Sequence, residues 1–83
     1  MYRIKLSSTA ERELDDLTEQ QFVRIDKGIR KLEANSRPSG CKKLSGQDLY
    51  RIRIGDYRVL YFIDDKVKEI TIVAVGNRRD VYR

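Results

Sequence analysis

Two strand-like runs meeting at a two-residue turn constrain this chain most: Leu49-Tyr50-Arg51-Ile52-Arg53-Ile54, then Gly55-Asp56, then Tyr57-Arg58-Val59-Leu60-Tyr61-Phe62-Ile63. A Gly-X pair between β-branched and aromatic runs suits a type II′ or I′ turn, whose twist matches that of the flanking strands. Side chains alternate along a strand, so Tyr50, Ile52 and Ile54 share one face while Leu49, Arg51 and Arg53 share the other. Arginine seldom enters a core, so the isoleucine face is expected to meet the core and the arginine face to look outward. The second run is apolar on both faces apart from Arg58, which marks a central, largely covered strand. Arg58 is then a guanidinium among apolar neighbours, suited either to gripping a phosphate or to pairing with a carboxylate such as Asp80.

The rest of the chain supplies what such a hairpin needs. Tyr2 to Leu6 alternates as a short strand with Tyr2, Ile4 and Leu6 on one face. Ser8 and Glu11 have capping-box spacing, and Ala10, Leu14 and Leu17 follow at helical intervals, so a helix is expected from about residue 9 to 17. Thr18 and Gln21 repeat the signal ahead of a stripe of Phe22, Ile25, Ile29 and Leu32, with Gly28 a tolerated weak point and an end near Asn35. Two helices joined this closely form an antiparallel pair whose apolar stripes need a sheet as a floor. The Asn35 to Gly40 segment reads as a loop, and Asp64-Asp65-Lys66 as a turn into a strand from Val67 to Val75. The expected fold is α+β: an N-terminal strand, the helical pair, and a three-stranded antiparallel meander completing a four-stranded sheet in a single domain spanning residues 1–83.

Charge narrows the function. The 83 residues carry 18 Lys and Arg against 13 Asp and Glu, a net charge of +5. All of that excess lies in the second half: residues 1–36 hold seven cations and seven acids, residues 37–83 eleven and six. Such asymmetry points to a polyanion, with nucleic acid first, against the alternative of a merely basic surface. There is no histidine, and Cys41 stands alone, so no metal site or activated thiol is expected. No apolar run approaches a membrane span, and Met1 to Leu6 lacks a signal-peptide core, so the cytoplasm is the expected compartment. Tyr82, beside Arg78, Arg79 and Arg83, suits base stacking within a basic tail or sealing of the core edge. Lys42 and Lys43 add phosphate affinity or only solvated charge.

The run CKKLSGQDLYRIRIGDYRVLYF, the later VAVGNRRDVYR and the preceding helical pair together resemble the RelE/ParE toxin superfamily along essentially the whole chain, closest to its RelE side. The resemblance implies a type II toxin silenced by a cognate RelB-like antitoxin. It also implies a ribosome-dependent endoribonuclease that cuts messenger RNA by 2′-OH attack on the adjacent phosphorus, with no cofactor and no metal. By match to the family motif, Arg58, Arg78 and Tyr82 are the catalytic candidates. Arg51, Arg53, Lys43 and Arg79 are the RNA-binding ones, with Lys43 the reserve proton acceptor. Some relatives carry lysines where this chain has Arg51 and Arg53, and a guanidinium is a poor base at neutral pH, so both arginines are expected to act electrostatically. The competing implication is a ParE-like toxin that binds DNA gyrase and performs no RNA chemistry.

Overall fold

The computed structural model describes residues 1–44, 46 and 48–77. The element order is β1 (Arg3–Leu6), α1 (Ser8–Asp15), α2 (Glu19–Arg30) with a 3-10 turn at Lys31–Glu33, β2 (Lys42–Lys43), β3 (Leu49–Ile54), β4 (Tyr57–Asp64) and β5 (Glu69–Asn77). One sheet holds the strands in the order β1-β5-β4-β3-β2. β3, β4 and β5 form the expected antiparallel meander, and β1 joins parallel to β5, with Ile4 opposite Ile70 and Leu6 opposite Ile72. The sheet has a fifth strand beyond the four expected: Lys42 and Lys43 pair with Arg51 and Tyr50 on the outer edge of β3. Two residues are too few for alternation to declare a strand, so β2 has no signature in the sequence.

Local chemistry explains most boundaries. The cap of α1 is Ser7, one residue before the expected Ser8, and its hydroxyl accepts from the Ala10 amide at 3.0 Å. The Thr18–Gln21 capping box on α2 is present in both directions. Gly55 has φ +61 while Asp56 does not have positive φ, which is the pattern of a type II′ turn. β5 begins at Glu69 rather than Val67, because the Asp64 carboxylate accepts from the Lys66 and Val67 amides and Lys68 adopts φ 57. That turn overrides the β propensity of Val67.

The core lies between the helices and one face of the sheet. Ala10 and Leu14 of α1, Ile25 and Ile29 of α2, and Leu32 meet Tyr50, Ile52, Val59, Tyr61, Ile63, Ile70, Ile72 and Val75. The isoleucine face of β3 thus packs inward as its alternation requires. Phe22 belongs to the α2 stripe but remains 39% exposed, so the first helical turn is only partly covered. Gly28 is a close-approach position rather than a tolerated weak point: a Cβ there would stand 2.4 Å from Ile54 Cδ1 and 2.9 Å from Cγ1. Its missing side chain lets α2 settle onto β3. Among the described residues no helix is long and apolar enough to cross a membrane.

Candidate functional site

The sheet face opposite the helices carries the cations. Cross-strand register places Arg53 opposite Arg58, and Arg58 opposite Gly76. Lys42 stands opposite Arg51 one step along the same face. Two like-charged cross-strand pairs in succession destabilise a sheet, by up to about 1 kcal/mol each, and an anion laid over them reverses that term. Arg58 is 7% exposed and its neighbours along this face are the apolar Leu60 and the 39% exposed Phe62. A charge held in so little water interacts strongly with an incoming phosphate. The far end of the same face carries Asp64 opposite Glu69, about 20 Å from Arg58 at the rise of a strand, with Arg3 and Lys5 of β1 paired to Glu69.

β5 is held in place by α1. The register slips between Leu60 and Tyr61, with Leu60 opposite Ala74 and Tyr61 opposite Ile72, leaving Val73 as a bulge. β1 pairs only as far as Ile72, and α1 and its cap take over the edge of β5 beyond that point. The Ser7 hydroxyl donates to the Val73 carbonyl at 2.9 Å, and the Glu13 carboxylate accepts from the Val75 amide at 2.8 Å. These contacts set the path of the strand end that carries Gly76 past Arg58.

A second cluster ties the Asn35–Gly40 loop to the sheet. Arg37 grips Asp65 through Nη2 at 2.9 Å and Nη1 at 3.4 Å, and its Nε donates to the Tyr50 hydroxyl at 3.1 Å. The guanidinium also lies 5.1 Å from the Tyr50 ring centroid, and the Tyr2 hydroxyl donates to Asp65. Tyr50 stacks on Tyr61, whose hydroxyl donates to the Ser36 carbonyl at 3.0 Å inside the core. Burial pushes the Tyr61 hydroxyl well above its ordinary value, so it stays protonated. Hydrogen bonds from Arg37 and then Tyr2 hold the Asp65 carboxyl below the usual carboxylate range. A depressed folded-state pKa contributes stability above the unfolded value of about 3.9 that is lost as pH falls through the folded one. Asp65→Asn is therefore expected to flatten the stability loss below about pH 4, as read by urea midpoints across pH, and an unchanged acid slope contradicts the clasp.

Of the residues singled out from sequence, the structure brings Arg51, Arg53 and Arg58 to one face by register. Lys43 stands apart: it pairs with Tyr50, on the opposite parity from Arg51, and its Nζ lies 3.7 Å from Asp48. A lysine so placed is turned away from Arg58, which removes the ground for treating it as a reserve base. Arg78, Arg79 and Tyr82 lie outside the described residues. Cys41 is half-buried and packs against the core. Reasoning from sequence missed Arg24, Lys27 and Lys31, which line a cleft of about 760 Å³ with Lys42, Arg51 and Arg53. Their i, i+3, i+7 spacing was the available signal.

Comparison with known proteins agrees with this architecture. The family model described as the ParE toxin of the type II toxin-antitoxin system parDE matches residues 4–82. A Methanocaldococcus jannaschii protein named toxin RelE1 is 28% identical over 88 residues, covering 99% of this chain and 96% of its own. The RelE chain in the RelE-RelB complex of Pyrococcus horikoshii OT3 superposes with a TM-score of 0.84 at 33% identity, covering 95% of this chain and 97% of that one. The isolated E. coli RelE toxin shares the fold, with a TM-score of 0.82 at 24% identity over 99% of this chain and 92% of that one. A match over nearly the whole length, on a sheet whose hairpin presents Arg51, Arg53 and Arg58 together, shows that the chain belongs to the RelE/ParE family of type II toxin-antitoxin toxins and is RelE-like within it.

Proposed function

We propose that this toxin is a metal-independent endoribonuclease that acts on messenger RNA held by the ribosome, in the cytoplasm, as a single-domain protein silenced by a RelB-like antitoxin. The observation that carries the reading is the Arg53–Arg58–Gly76 row: a nearly buried guanidinium on the sheet face away from the helices, with a second arginine across from it on β3 and a glycine across from it on β5. In the reaction the ribose 2′-oxygen bonds to phosphorus and gives up its proton, while the bond from phosphorus to the 5′-oxygen breaks and that oxygen gains a proton. The products are a 2′,3′-cyclic phosphate and a 5′-hydroxyl. Arg58 and Arg78 supply fixed positive charge to the phosphoryl oxygens, where preorganised donors act most strongly. Arg51, Arg53 and Arg79 hold the strand. A guanidinium keeps its proton at neutral pH, so Tyr82 is assigned to the 2′-hydroxyl side of the phosphate. The ribosome orients the substrate, which relieves so small a protein of that task.

The antitoxin reading draws on the Pyrococcus horikoshii and E. coli relatives, whose structures are RelE-RelB complexes. An acidic segment over the arginine face neutralises it and blocks RNA. The ParE description of the matching family model favours one other reading, gyrase inhibition by binding alone. Purified toxin added to translating ribosomes separates the two. The nuclease is expected to cut ribosome-held message in codon register and naked message at least tenfold more slowly. An intact message together with gyrase-dependent DNA breaks establishes the ParE-like alternative instead.

A further inference from the structure

The cleft between α2 and the outer edge of β3 is lined by cations from four segments and by no acid. Arg24 and Lys27 come from α2, Lys31 from the turn after it, Lys42 from β2, and Arg51 and Arg53 from β3. Five cations elsewhere have carboxylate partners: Arg30 pairs with Asp26, Arg37 with Asp65, Lys43 with Asp48, and Arg3 and Lys5 with Glu69. Among the described residues Arg24, Lys27, Lys31, Lys42 and Arg53 take part in no ion pair, and all five are exposed. Five cations outside any ion pair thus line one groove, while Arg12, Lys66 and Lys68, likewise in no ion pair among the described residues, lie outside it.

We propose that this groove extends the Arg58 face into a second binding surface for an RNA phosphate backbone, with Lys42, Arg51 and Arg53 at the shared edge of β3 and Arg24, Lys27 and Lys31 as the new wall. Three features favour RNA over an acidic peptide. The helical wall runs about 10 Å from Arg24 to Lys31, a regular row of charges suited to successive phosphates. β2 covers β3 only at Tyr50 and Arg51, so the groove opens directly beside Arg53, whose cross-strand neighbour is Arg58. A strand crossing the arginine face therefore continues into the groove without leaving positive potential. The floor of Ile52, Ile54 and Gly28 is narrow, since α2 approaches β3 closely at Gly28, so it offers little apolar surface for peptide side chains. Arg24 frames the outer end, with its Nη1 3.2 Å from the position a Cβ on Gly55 would occupy.

The inference extends the proposed RNA function, and its test reads binding without cleavage. A single-stranded RNA methylated at every 2′-oxygen cannot be cut, and its affinity is followed by fluorescence anisotropy across a salt series. Counterion release gives a slope of about 0.7 per phosphate contact on single strands, so the Arg24→Gln/Lys27→Gln/Lys31→Gln variant, which leaves the Arg58 face untouched, is expected to lower the slope by about 2 and the low-salt affinity at least tenfold. The Lys27→Arg/Lys31→Arg variant retains both, which separates charge from fold. Unchanged affinity and slope in the glutamine variant overturn the proposal. So does loss of binding to a poly-glutamate peptide while RNA binding persists, which reassigns the groove to an acidic protein segment. If the wild type leaves ribosomal message whole yet the glutamine variant loses RNA binding, the nuclease reading falls and the groove stands. The reverse pattern removes the groove alone.

Discussion

Arg58→Ala is expected to lower cleavage of ribosome-held message at least tenfold and toward the hundredfold typical of removing one preorganised donor from a transition state. The size follows from placement. Arg58 is 7% exposed, so its charge is poorly screened, and the residue across from it on β5 is Gly76, which adds no side chain there. Arg53 alone does not replace it, because that side chain is exposed and its charge is screened by solvent. Arg58→Lys keeps the charge but loses the planar fork, so it is expected to fall between wild type and alanine. Thermal melts of both variants control for folding, and wild-type cleavage rates in the alanine variant remove Arg58 from the mechanism.

The second large effect is on stability. Glu13→Ala withdraws the carboxylate that accepts from the Val75 amide and leaves a part-buried donor unsatisfied beside the Val73 bulge. Such a group costs about 1 to 3 kcal/mol, a sizeable fraction of the stability of a small domain. Glu13→Gln keeps an acceptor oxygen and is expected to recover most of that loss in urea unfolding. Because the same contact directs β5 toward Gly76, the alanine variant is also expected to cut more slowly under conditions where it remains folded. A full-strength, full-stability Glu13→Ala protein contradicts this account of the strand end.

The central hairpin was readable because three independent signals agreed there: alternation in β3, the Gly55-Asp56 turn, and the double-sided apolar character of β4. The register that sets Arg53 against Arg58 follows from the turn type alone. Long-range features were not readable. Glu13 looks like any exposed helical acid until β5 is seen to bulge beside it, and Lys43 looks like part of a basic pair until its parity with Tyr50 turns it toward Asp48. Gly28 reads as a propensity cost because periodicity carries no information on how closely α2 approaches Ile54. The groove combines helix, turn, and strand-edge residues separated by up to 29 positions in sequence, from Arg24 to Arg53, and only the fold brings them together.

The chemistry of the cut ends tests the central claim most directly. Message recovered from translating ribosomes after addition of the toxin is mapped at single-nucleotide resolution, and the two new termini are identified. The account predicts breaks in codon register, with a 2′,3′-cyclic phosphate on the upstream fragment and a 5′-hydroxyl on the downstream one, both absent with Arg58→Ala. Breaks bearing a 3′-hydroxyl and 5′-phosphate, breaks that persist in Arg58→Ala, or a message left whole contradict it.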